Sequence, residues 1–115
     1  MNLVIGGAYQ GKLTWAVAQY GWKQEELLDL AKAEPQAARC WYHLEEWTWR
    51  KLQAGESAAA LLERLEPVLP EVVISREIGS GVVPMDPAER AGREAAGRLA
   101  CLLAARADCV VQMFC

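Results

Sequence analysis

The stretch VIGGAYQGKLTWA, residues 4–16, spaces Gly6, Gly11 and Lys12 as G-x-x-x-x-G-K. That spacing suits the capture of a phosphate. Backbone N–H groups along Gly6, Gly7, Ala8, Tyr9, Gln10, Gly11, Lys12 and Leu13 can converge on an anion at the start of a helix, whose dipole adds favourable potential there. Gly6 and Gly11 permit the tight backbone path, and Lys12 offers a point charge to the outer phosphates of GTP or ATP. The position after the lysine calls for a Ser or Thr hydroxyl that ligates Mg2+; here it is Leu13. A leucine cannot coordinate a metal, and Thr14 stands about 100° further round the helix. The stretch reads either as a nucleotide-binding loop with a weakened Mg2+ position or as a tight turn whose Lys12 is solvated.

Other residues can also do chemistry. His43 is the single histidine, so any histidine intermediate must use it. In the helical pattern read over residues 37–54 it lies opposite Trp41, Leu44, Thr48 and Leu52, flanked by Arg39 and Arg50, with Glu46 and Trp47 close by. Two guanidinium groups beside an imidazole can receive a phosphate, which suits a catalytic nucleophile. A histidine on an ordinary solvated helix face has the same pattern. Glu77 follows an apolar run, at the edge where open α/β sheets bind ligands. It reads as a catalytic carboxylate holding Mg2+ or substrate near Lys12, or as a loop glutamate paired with an arginine. Gly79 and Gly81 read as a substrate loop that a ligand approaches closely. Arg90 and Arg98 share a helix face suited to an anion, yet Glu89 and Glu94 can neutralise them, as on a solvated charged surface. Trp41, Trp47 and Trp49 suit the core or a subunit contact better than a ligand platform.

The elements that must position these residues alternate in type. Residues 2–5 form a short apolar run ending at Gly6-Gly7, read as a buried strand, and residues 11–20 carry a helical pattern stopped by Gly21. Residues 22–35 are ambiguous: Leu27, Leu28, Leu30 and Ala31 fit one or two helical turns, or a further strand near residues 26–30. Residues 57–69 are amphipathic through Ala58, Leu61, Leu62, Leu65 and Leu69, closed by Pro70. EVVIS (71–75) reads as a buried strand. Asp86, Pro87 and Glu89 open a helix running to about residue 106, and DCVVQMF (108–114) is again a strand. Strands alternating with helices predict an α/β fold of three layers, with a small, mostly parallel sheet of about three to five strands flanked by helices.

A chain of 115 residues with 53% hydrophobic residues can bury a core, and residues 1–115 read as a single domain. A net charge of −3 without a basic stripe argues against nucleic acid. No apolar run approaches the roughly 18 residues of a membrane helix, and no signal peptide is evident, so a cytoplasmic protein is expected. The four cysteines, Cys40, Cys101, Cys109 and Cys115, lack the spacing of a metal site and are expected to be reduced. Three clear strands and five tryptophans to bury suggest a homo-oligomer.

Taken with the first loop, EVVISREIGSGVVPMDPAERAGREAAGRLACLLAARADCVVQMF (71–114) resembles the C-terminal part of the adenosylcobinamide kinase/adenosylcobinamide-phosphate guanylyltransferase family. The family pattern, approximately N-E-x-G-x-G-x-V-P, then a helix with G-R, then A-D-x-V, is carried by Glu77, Gly79, Gly81, Val83 and Pro84, by Arg90, Gly97 and Arg98, and by Ala107, Asp108 and Val110. LVIGGAYQGK is similar to the family's G-G-x-x-S-G-K-S. The resemblance covers about the first 20 residues and the last 45. It implies a P-loop NTPase fold, a kinase and nucleotidyltransferase of cobalamin biosynthesis, GTP or ATP with Mg2+, and adenosylcobinamide as substrate. It implies Lys12 and Glu77 as catalytic residues. The departures are specific. The family's guanylylated histidine region has no counterpart in residues 22–70, so His43 alone can take that role. Gln10, Leu13 and Arg76 replace a serine, a serine and an asparagine. Phosphoryl transfer is therefore favoured over guanylyl transfer. The alternatives are a catalytically impaired nucleotide-binding or regulatory P-loop protein, and a structural interaction domain.

Overall fold

The computed structural model describes residues 1–6, 11–76 and 87–113. Five strands, β1 (Asn2–Gly6), β2 (Leu27–Asp29), β3 (Cys40–Tyr42), β4 (Val72–Arg76) and β5 (Cys109–Met113), form one parallel sheet in the order β2-β3-β4-β1-β5. Four helices, α1 (Gly11–Tyr20), α2 (Leu44–Gln53), α3 (Ala58–Leu65) and α4 (Pro87–Arg106), lie in the connections between strands, except that residues 30–39 join β2 to β3 without a helix. The protein is therefore α/β, with an all-parallel sheet between helical layers.

Alternation along the strands sorts the apolar residues into two layers. Leu3 of β1 lies level with Val73 of β4 and Val110 of β5, and all three face one side. On that side Leu3, Trp41 and Val73 pack with Leu44 and Trp47 of α2, Leu61 and Leu65 of α3, and Leu99 and Leu103 of α4. Val4, Cys40, Val72 and Ile74 face the other side, where Ala16 of α1 and Trp22 cover them. Being buried on both faces, β1 and β4 read as continuous apolar runs, as strands inside a parallel sheet must.

The element ends follow local chemistry. Gly21, at φ +69°, closes α1 in the left-handed conformation that glycine adopts without a steric cost. Ser57 caps α3, its Oγ accepting the Ala60 N–H at 3.2 Å. Pro87 opens α4, where its missing N–H costs nothing. Gly92 of α4 lies against the Trp49 ring of α2, and a Cβ there would stand 2.7 Å from the nearest ring carbon.

Two expectations change. The helical pattern over residues 37–54 is broken: Cys40–Tyr42 is strand β3, and the helix begins only at Leu44. Trp41 thus reaches the same core as Leu44 and Thr48 from the sheet, not from a helix face. Over residues 22–35 the further strand exists as β2, preceded by a 3-10 turn at Gln24–Glu26, in place of one or two α-helical turns. Leu28 and Trp41 pair across β2 and β3, and tertiary packing outweighs the helical spacing of the leucines.

Trp22, Trp41 and Trp47 are buried within the chain itself, and Trp15 and Trp49 are half-buried. No helix among the described residues is long and apolar enough to cross a membrane.

Candidate functional site

β1 and β4 lie side by side, yet their following helices cover opposite faces of the sheet: α1 belongs to the layer with Val4, α4 to the layer with Leu3. The chain therefore diverges above the carboxyl ends of these two strands, where Gly6 stands level with Arg76. In an open α/β sheet that divergence leaves a crevice able to take a ligand. Gly6 ends β1 and is buried; Gly11, Lys12 and Leu13 form the first turn of α1. Gly7, Ala8, Tyr9 and Gln10 lie outside the described residues, as do Glu77, Gly79 and Gly81 beyond β4. The G-x-x-x-x-G-K spacing thus joins the end of a central parallel strand to the start of a helix, the backbone context in which such a loop binds phosphate.

The same edge carries residues that sequence reasoning missed. Glu45, in the first turn of α2, is 8% exposed, and its Oε1 accepts the Arg76 N–H at 2.8 Å. Its Oε2 accepts the Glu46 N–H at 3.2 Å. A buried carboxylate is satisfied here by backbone donors, one of them at the end of β4. Asp29 ends β2, and its Oδ1 accepts the Ala31 N–H at 2.9 Å. The signal for both residues is position: each acid follows a short apolar run at the carboxyl end of a strand. It is readable only once β2 and β3 are known to be strands.

His43 is placed differently from its expected helix face. It leaves β3 in the left-handed conformation, φ 60° and ψ 37°, at the position just before α2. Its Nδ1 lies 2.7 Å from Asp29 Oδ1 and its ring tilts against Tyr42. The two arginines expected beside it go elsewhere. Arg39, at the opposite end of β3, pairs with Glu71 at 2.9 Å, and Arg50 donates to the Leu30 carbonyl at 2.7 Å. The structure thus replaces a cationic cradle around His43 with a single carboxylate.

On the α2–α4 side of the sheet a cavity of about 340 Å3 lies beneath this edge, lined mainly by apolar residues such as Leu3, Ile5, Leu99 and Val110, with Ser75 and Gln112 among its polar members. Of the four cysteines, Cys101 and Cys109 are exposed free thiols and Cys40 a buried one. Burial pushes the Cys40 thiol up to about 12. No group of three or more His, Cys, Asp or Glu side chains among the described residues could hold a metal ion.

Fold and edge together define a parallel α/β protein whose chain diverges at the carboxyl ends of β1 and β4. No protein-family model matches the chain, and no curated protein matches it.

Proposed function

We propose that this protein binds the phosphates of GTP or ATP in the loop between β1 and α1. The observation that carries the reading is the coincidence of two independent features. The G-x-x-x-x-G-K spacing falls between Gly6 and Lys12, and that segment lies where β1 and β4 send their helices to opposite faces. Backbone N–H groups of the loop and the Lys12 ammonium would neutralise the phosphates.

The resemblance of residues 71–114 to the adenosylcobinamide kinase/adenosylcobinamide-phosphate guanylyltransferase family supplies the substrate: phosphoryl transfer to adenosylcobinamide, in the cytoplasm. In this reading Glu77 is a catalytic carboxylate holding Mg2+ or substrate, and Gly79 and Gly81 belong to a substrate loop. Mg2+ fits this chain poorly, because Leu13 offers no oxygen where the loop hydroxyl belongs. Phosphate oxygens, water and Glu77 would have to hold it, so the binding step proposed here rests on the backbone and Lys12 alone.

A second reading is favoured by Leu13 together with Gln10 and Arg76: a nucleotide-binding module without turnover. Incubating the protein with GTP or ATP, Mg2+ and adenosylcobinamide separates the two. Phosphorylated cobinamide supports the enzyme, whereas nucleotide binding without product supports the module.

A further inference from the structure

We propose that His43 accepts the proton of a hydroxyl group attacking the bound nucleotide, with Asp29 as the residue that positions it; this rests on the reading of the loop between β1 and α1 as a phosphate site. Asp29 and His43 end neighbouring strands at the same sheet edge as Gly6. β3 lies two strand steps from β1, roughly 10 Å, a span that a nucleotide's terminal phosphate and an acceptor can bridge.

The pair is built for more than tying two strands together. Asp29 Oδ1 accepts from Ala31 as well as facing His43 Nδ1, so the carboxylate is held from two sides. A carboxylate only accepts, so the proton of the 2.7 Å contact sits on Nδ1, and in the neutral imidazole the lone pair is then on Nε2. Among the described residues no hydrogen bond engages Nε2, and the side chain is 40% exposed. The ends of β2 and β3 are already joined by the Leu30 N–H donating to the Tyr42 carbonyl at 3.0 Å. The His43 side chain also makes no capping bond to α2, although it occupies the capping position, and it holds a left-handed backbone that costs a residue with a Cβ about 1 kcal/mol or more. Asparagine or glycine would sit there with less strain. A histidine kept under strain, with one nitrogen oriented and the other presented, suits proton transfer.

In the step itself, the acceptor oxygen forms a bond to the terminal phosphorus while the bond from that phosphorus to the nucleoside diphosphate breaks. The hydroxyl proton passes to His43 Nε2. Asp29 stabilises the resulting imidazolium, which returns its proton to water after product leaves.

Because the chain has one histidine, its imidazole nitrogen resonances report on His43 alone. Long-range proton–nitrogen spectra of the full chain should show the proton on Nδ1, and Asp29→Asn should shift it towards Nε2. With GTP, Mg2+ and adenosylcobinamide, Asp29→Asn should lower kcat about 10- to 100-fold and move the pH–rate profile, with GTP affinity changed less than about twofold. His43→Asn fits the left-handed backbone, so it should lose about 100-fold in kcat while its Tm stays level or rises. A wild-type histidine protonated on Nε2 overturns the proposal, as does an Asp29→Asn or His43→Asn variant with unchanged kcat and pH profile. Wild-type protein that binds GTP without transferring phosphate overturns His43's role and leaves the phosphate loop standing. Wild-type protein that binds no GTP overturns the loop reading, and with it this step.

Discussion

Glu45 Oε1 accepts the Arg76 N–H at 2.8 Å, so a carboxylate in the first turn of α2 pins the end of β4. The bond ties the last residue of β4, which precedes Glu77 in the chain, to a second element. Glu45→Ala would remove the acceptor of the half-buried Arg76 N–H, at a cost of about 1 kcal/mol. Chemical denaturation should show that loss, and calorimetric titration should show weaker GTP binding because the end of β4 loses its anchor. Glu45→Gln keeps an acceptor oxygen and should retain most of both.

α4 offers a paired test of packing. At Gly92 an added Cβ meets the Trp49 ring at 2.7 Å, whereas at Gly97 it meets nothing within 4 Å and faces the cavity. Gly97→Ala should therefore stabilise the protein by up to about 1 kcal/mol through helix propensity. Gly92→Ala gains the same propensity but must displace the indole, with a strain of about 1–3 kcal/mol. Thermal unfolding should place Gly97→Ala above wild type and Gly92→Ala below it. Combining Gly92→Ala with Trp49→Leu should cost less than the sum of the single changes.

Burial raises the Cys40 thiol from 9.0 to about 12. Between those values the unfolded chain releases a proton that the folded chain keeps. The contribution to stability is therefore complete below pH 9.0 and is lost as pH rises towards about 12, at up to about 1.4 kcal/mol per pH unit. Urea unfolding of wild type and Cys40→Ala should converge as pH rises through that window. At neutral pH a thiol reagent should modify the exposed Cys101 and Cys109 and spare Cys40 until the protein unfolds.

Leu13→Ser restores the hydroxyl that a magnesium-dependent phosphate loop uses. GTP affinity of this variant should rise with added Mg2+ more steeply than that of wild type. An unchanged metal dependence would contradict the alignment of residues 6–13 with a phosphate loop.

The strands with the strongest apolar runs were readable because central parallel strands are buried on both faces. LVI in β1 and VVI in β4 need no alternation to be recognised, CVV in the exposed edge strand β5 was readable from its apolar run alone, and Gly21, Ser57 and Pro87 mark helix ends by well-defined local chemistry. β3 escaped because three residues, CWY, run directly into a helix whose apolar spacing extends back through Trp41 by coincidence. His43 was consequently set on a helix face between arginines, when it ends a strand beside Asp29. The pairing of Asp29 with His43, 14 positions apart, depends on the parallel register of β2 and β3, which no local pattern encodes. Glu45 was hidden for the same reason, since its role follows from where α2 starts.

Calorimetric titration of the full chain with GTP and with ATP, with and without Mg2+, beside Lys12→Ala, tests the central claim most directly. A phosphate site at the divergence of β1 and β4 predicts saturable binding by wild type, only modestly dependent on Mg2+, and about 10- to 100-fold weaker in Lys12→Ala. Absence of binding to either nucleotide, or equal affinity in the Lys12→Ala variant, would contradict it.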